Sequence, residues 1–155
     1  MHIQTDLALQ DISFVHGDGE RLAFCRDGRV LYERLERPGQ LLRWTATLDS
    51  AEAGELIAAA NRLARTKPEV AARPGVGDEV SVKISYRDAA GQLIDVVLWE
   101  HDLAKLTPGN PLAELRAVVK RVGLALSANG PGEPRRPEEA GKNWPHVLEQ
   151  VKRVR

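Results

Sequence analysis

The amino-acid sequence predicts an α+β fold: an antiparallel or mixed six-stranded sheet in the order ββββαββα, two helices packed on one face, then a linker and a short C-terminal amphipathic helix. Three observations carry this expectation. Between Asp11 and Leu48 apolar residues recur at alternate positions between turns, the period of strands with one dry face. Two later stretches repeat apolar residues at helical spacing. Strand-helix-strand alternation is missing, which favours helices gathered on one face of a sheet over a doubly wound fold.

Ile12, Phe14 and Val15 suggest a first strand, ended by His16-Gly17-Asp18-Gly19. Leu22 to Cys25 form a second, and Asp27-Gly28 signals a hairpin because both residues tolerate positive φ. Val30 to Leu35 follow as a third, and Arg37-Pro38-Gly39-Gln40 turns the chain into a fourth. There Leu42, Trp44, Ala46 and Leu48 share a dry face, leaving Arg43, Thr45 and Thr47 on a wet one. Asp49 can cap a helix whose Glu52 reaches back to it, with Ala53, Leu56, Ile57, Ala60, Leu63 and Ala64 as its apolar stripe. Prolines and glycines mark Lys67 to Glu79 as loop.

Val80, Val82, Ile84 and Tyr86 alternate with polar residues as the clearest strand. Leu93 to Trp99 is nearly all apolar and reads as a central strand covered on both faces. Asn110-Pro111 starts a second helix, a cap followed by proline at the first helical position, and Leu112, Leu115, Val119, Val122 and Leu126 space its buried side. The organisation expected is one domain over residues 1–126, a Pro/Gly/charged linker over 127–143, and a terminal helix over 144–155.

With 155 residues, 43% of them hydrophobic, the chain can bury a core without metal or disulfide support. Basic and acidic residues balance at 22 each, so no general field gathers nucleic acid. No basic leader or membrane-length apolar run is present, and the reading is cytoplasmic, without membrane contact. The lone Cys25 excludes an internal disulfide or a multi-cysteine zinc site. His2, His16, His101 and His146 have no metal-ligand spacing, so no metal and no cofactor is expected.

Cys25 with His101 and Asp102 could supply a thiolate, a base and an orienting carboxylate, the parts of a small cysteine-dependent hydrolase. A cysteine in an alternating apolar strand more often serves as a small core residue, and no catalytic residues are expected. His16-Gly17-Asp18-Gly19 is a turn, lacking the lysine of a phosphate loop and the oxygen run of a calcium loop. Arg62, Arg65 and Lys67, with Arg116, Lys120 and Arg121, read as the solvated sides of their helices, diluted by Glu52, Glu55 and Glu114.

In the tail, Trp144, Val147, Leu148 and Val151 fall at helical spacing, Asn143 can cap, and Lys152, Arg153 and Arg155 complement the C-terminal end of the dipole. Such a helix suits a groove, either on its own domain or on another protein. A flexible linker of this length reaches roughly 20–24 Å, which leaves both destinations open.

The succession of short strands, then Leu48-Asp49-Ser50-Ala51-Glu52-Ala53-Gly54-Glu55-Leu56, Val80-Ser81-Val82-Lys83-Ile84-Ser85-Tyr86 and Pro111-Leu112-Ala113-Glu114-Leu115, resembles the emfourin family of small bacterial protease-inhibitor domains across about Ile12 to Leu126. His16-Gly17-Asp18-Gly19-Glu20 replaces that family's glycine-rich early hairpin, the tail is additional, and no inhibitory residue carries over. The resemblance implies an α+β module that binds another protein. The expected function is therefore a non-enzymatic protein-binding module, of inhibitor, immunity or adaptor type, using loops and the tail residues Trp144, Val147, Leu148, Val151 and Arg155. A homodimer with a docked tail helix and the Cys25-His101 hydrolase are the alternatives.

Overall fold

Alternation through the first third of the chain yields four consecutive strands: β1 (Ile12–His16), β2 (Glu20–Phe24), β3 (Arg29–Arg37) and β4 (Gln40–Thr47). The computed structural model describes residues 11–135, apart from 18, 38, 39, 72, 76 and 78. Helix α1 (Ser50–Thr66) follows, then β5 (Ser81–Arg87), β6 (Leu93–Trp99), α2 (Glu100–Lys105), α3 (Pro111–Ala128) and β7 (Glu133–Arg135). The strands form one sheet in the order β6-β5-β1-β2-β3-β4-β7, every neighbouring pair antiparallel.

Local chemistry fixes the turns and caps. Gly28 sits at φ 100, where a Cβ would meet the Leu48 carbonyl oxygen at 2.9 Å, so the β2-β3 turn needs glycine there. The Asp49 carboxylate accepts from the Glu52 N–H at 2.8 Å, and Asn110 Oδ1 accepts from the Leu112 N–H at 3.0 Å, as the sequence suggested for both helix starts.

Strand register places two apolar rows on one face. Ile94, Tyr86, Ile12, Phe24, Val30 and Ala46 form the first; Val96, Ile84, Phe14, Leu22, Tyr32 and Trp44 form the second. Ala53, Leu56, Ala60 and Leu63 of α1 and Leu112, Leu115, Val119 and Val122 of α3 close over these rows in one core, which Leu103 of α2 also joins. Gly123 is what lets α3 press close: a Cβ there would stand 2.4 Å from Cζ of Tyr32. Both long helices lie on this face, as expected.

Four expectations are corrected. Among the described residues the sheet has seven strands, not six, because α3 runs on to Ala128 and the chain then returns to pair with β4, opposing Glu133 to Arg43 and Arg135 to Leu41. The Trp44 indole N–H donates to the Gly130 carbonyl at 3.0 Å and holds that return, in a stretch whose composition reads as linker. Residues 100–105 form a short helix. The Leu93–Trp99 strand is not central: among the described residues β6 ends the sheet, and Leu93, Asp95 and Val97, which face away from the helices, are exposed. Nor is the face opposite the helices uniformly wet, since Arg43 is buried there. The predicted terminal helix lies outside the described residues.

Candidate functional site

The fold does not bring Cys25 and His101 together. Cys25 is buried where β2 ends, next to the Ile12 row, with its N–H donating to the Arg29 carbonyl. His101 is exposed on α2, which leaves β6 at the opposite end of the strands beside His16; the His16 Nε2 lies 3.4 Å from Glu100. Three strand spacings, about 14 Å, also separate β2 from β6. Asp102 accepts from Arg73 Nε at 2.8 Å and turns away from any thiol chemistry. Among the described residues no three His, Cys, Asp or Glu side chains converge as metal ligands.

The face away from the helices carries a feature that sequence reasoning missed. Arg21, Glu33, Arg43 and Glu133 fall on one register row across β2, β3, β4 and β7, with charges alternating in sign. Arg43 Nε donates to Glu33 Oε2 at 3.1 Å, and Arg21 Nη1 stands 3.8 Å from Glu33 Oε1. Glu33 is 0% exposed, and Arg21 and Arg43 are buried as well. Flanking rows add Ala23, Leu31 and Leu41, again fully or almost fully buried. Opposite charges in directly opposed positions fix strand register. Alternate-position arginine and glutamate normally read as solvent-facing, which is why the sequence hid this ladder.

Beyond β5 the same face opens. Val97 is 61% exposed and Leu93 39%. Between them Asp95 accepts from the Ser85 hydroxyl and lies 3.9 Å from Lys83 Nζ. The hairpin closes through Asp88 N–H to the Gln92 carbonyl, and at the other end Glu100 N–H donates to the Val80 carbonyl. In an antiparallel pair hydrogen-bonded and non-bonded positions alternate, so Tyr86-Ile94, Ile84-Val96 and Val82-Leu98 exchange the ladder bonds. The backbone groups of Leu93, Asp95, Val97 and Trp99 therefore point outward, along an edge that no described strand pairs with.

A strap fastens the far end of this edge. The Trp99 indole N–H donates to the Arg73 carbonyl at 3.1 Å, and the Arg73 guanidinium stacks 5.9 Å from the Trp99 ring. Arg73 also donates to Glu79 at 2.6 and 2.9 Å, and these bonds, with the one to Asp102, raise its pKa above the usual arginine value. On the helix side, Arg62 pairs with Glu114, and Arg121 stands 3.5 Å from Glu55, around a shallow groove floored by Ala58, Ala59, Ala117 and Val118. The basic positions of the two helices are thus partly neutralised rather than gathered into a positive patch.

The tail residues Trp144, Val147, Leu148, Val151 and Arg155 lie outside the described residues. No helix among the described residues is long and apolar enough to cross a membrane. Comparison with protein-family models, curated proteins and solved structures gives no match to this chain.

Proposed function

We propose that the protein is a non-enzymatic binding module that accepts an extended segment of a partner protein along β6. The observation that carries this reading is the edge of β6, which is unpaired among the described residues. Strand β6 is seven residues long and free of proline, directs the backbone of four residues outward, and exposes Val97 and Leu93 beside them. Sheet edges of this kind are templates for strand addition, and proteins that do not use them protect them with lysine, proline, bulges or a covering element. The other edge is finished in that way, by the three-residue β7 with Pro134. The emfourin-like layout read from the sequence points toward protein binding as well.

Asp95 at the middle of the edge shapes the choice of partner. An incoming strand with apolar residues at alternate positions and a lysine or arginine near Asp95 complements it. Two copies of β6 paired about a two-fold axis bring one Asp95 close to the other, which disfavours a homodimer through this edge. The inhibitor, immunity and adaptor types all remain forms of this one activity, with contact moved from the loops and tail to a strand edge.

Selection from a displayed peptide library against the full chain tests the reading. Enriched peptides should show the alternating apolar pattern with a basic residue. Val97→Pro should abolish their binding, because it removes an outward N–H without removing a ladder bond, whereas Val97→Ala should weaken it only in part. Peptides that bind Val97→Pro unchanged would refute strand addition. Sedimentation that shows a dimer lost in Val97→Pro would assign the edge to a second copy instead.

A further inference from the structure

A segment added along β6 sets every second side chain on the helix side of the sheet. Leu93, Asp95 and Val97 turn their side chains away from the helices, whereas Ile94 and Val96 face the helices and are half-buried. Beside these two lies a cavity of about 230 Å³. Tyr86 of β5, Asp88 of the β5-β6 turn, and Lys67 and Pro68 just past the end of α1 complete its lining. The lining is mostly apolar, and the edge strand itself forms one of its walls. The cavity therefore adjoins the place where the helix-side residues of an added segment would stand.

We propose that this cavity is the specificity pocket of the β6 edge and takes one aromatic side chain of the partner segment, from a residue directly beside the one that meets Asp95. The inference rests on the strand-addition reading and names what the edge selects. A residue opposite Ile94 or Val96 shares their side of the sheet, and both positions adjoin Asp95 whichever way the added strand runs. Reach selects a long side chain. Tyr86 pairs with Ile94, so it stands two strand spacings, about 10 Å, from the backbone of the added segment. Charge selects an uncharged one. Lys67 and Asp88 give the lining one charge of each sign, and Asp88 Oδ1 already accepts from the Ala90 and Gln92 N–H groups, each at 2.9 Å. An ionised side chain would leave water for a lining with no net charge to receive it. Shape selects a ring, because Pro68 and Tyr86 offer ring surfaces and the exposed Lys67 can set its ammonium over an aromatic face. The partner segment then carries an aromatic and a basic residue side by side, flanked by the apolar residues that cover Leu93 and Val97.

Peptides enriched from a displayed library against the full chain supply the probe. They should place a phenylalanine, tyrosine or tryptophan directly beside the basic residue. A synthetic copy with that ring replaced by alanine should bind the wild-type protein roughly tenfold more weakly. Val96→Phe fills the cavity with a ring of the protein's own and should bring the two peptides to within about twofold of each other, the signature of a lost pairwise contact. Equal affinity of the two peptides for the wild-type protein, with both lost in Val97→Pro, would overturn the pocket and leave strand addition standing; that comparison needs no cavity variant to fold. A ring that keeps its full effect in folded Val96→Phe protein would lie elsewhere and would overturn the pocket as well. A library that yields no binder, or binding indifferent to Val97→Pro, would sink strand addition and the pocket together.

Discussion

The two faces of the sheet bury side chains by different means. Toward the helices, rows such as Val96-Ile84-Phe14-Leu22-Tyr32-Trp44 are apolar throughout and gain stability from area removed from water. On the opposite face, Arg21, Glu33 and Arg43 share the buried zone with Ala23, Leu31 and Leu41. An apolar row keeps apolar neighbours after a two-residue slip; the charged row does not, because such a slip sets buried Arg21 against Leu31 or Leu35 and buried Glu33 against Leu41 or Thr45. The helix face supplies cohesion, and the charged face supplies a unique alignment of β2, β3 and β4.

The largest effect that separates the faces is expected at Glu33. Glu33→Ala removes the carboxylate between the buried Arg21 and Arg43 guanidiniums and should cost about 3–5 kcal/mol, a midpoint drop of roughly 10 °C. Replacing the row together, as Arg21→Met, Glu33→Leu and Arg43→Met, should recover most of that loss, since removing all three charges removes the desolvation penalty with them. Thermal denaturation of the single and triple variants checks both. A loss below about 1 kcal/mol for Glu33→Ala, the range of exposed pairs, would mean that water reaches the ladder and the faces differ less than their burial implies.

On the helix face the corresponding break is steric. Gly123→Ala forces a methyl against the Tyr32 ring and should destabilise by about 1–3 kcal/mol. Gly54 of α1 is the control, with nothing within 4 Å of the place a Cβ would take, and Gly54→Ala should stabilise by about 0.5–1 kcal/mol through helix propensity alone. Opposite signs for the same substitution in two helices would locate the tight α3-sheet contact; equal signs would show that α3 can shift.

How much of this was legible depends on whether one residue's neighbours decide its fate. Asp49, Asn110-Pro111 and Asp27-Gly28 act within a few residues of themselves, so the helix starts and the β2-β3 turn were readable. The helix-face rows were readable because alternation and burial coincide there. Arg43 alternates correctly with Leu42 and Trp44, but its burial depends on what lies across the sheet, which a local pattern does not carry. Leu93–Trp99 failed in the opposite sense: an apolar run looks the same in a central strand and in an edge kept open, and edge position is a property of topology. Glu133–Arg135 is too short to show any period, and in α2 Leu103 alone is buried. The open edge proposed as the binding surface follows from that topology, so its residues were missed, and the expected tail site lies outside the described residues.

The smallest effect is a titration within the helix face. Tyr32 is buried and its hydroxyl donates to Glu20 Oε2 at 2.6 Å; burial first, and then that hydrogen bond, raise its pKa well above the ordinary tyrosine value near 10. Because the folded state holds the phenol proton more tightly than the unfolded chain, this stabilisation is complete below pH 10 and is lost as pH climbs from there toward the folded-state pKa. Tyr86, raised by its burial and by Asp88, contributes with the same sign. The thermal midpoint should therefore fall more steeply above pH 10 in the wild-type protein than in Tyr32→Phe, whose cost at neutral pH should be only about 1 kcal/mol for the lost hydrogen bond. Phenolate absorbance followed through an alkaline titration should report no ionisation of Tyr32 before unfolding. Parallel midpoint curves for the two proteins would show that the ring is reached by solvent, and that the helix face is held less tightly over Tyr32 than Gly123 and its neighbours indicate.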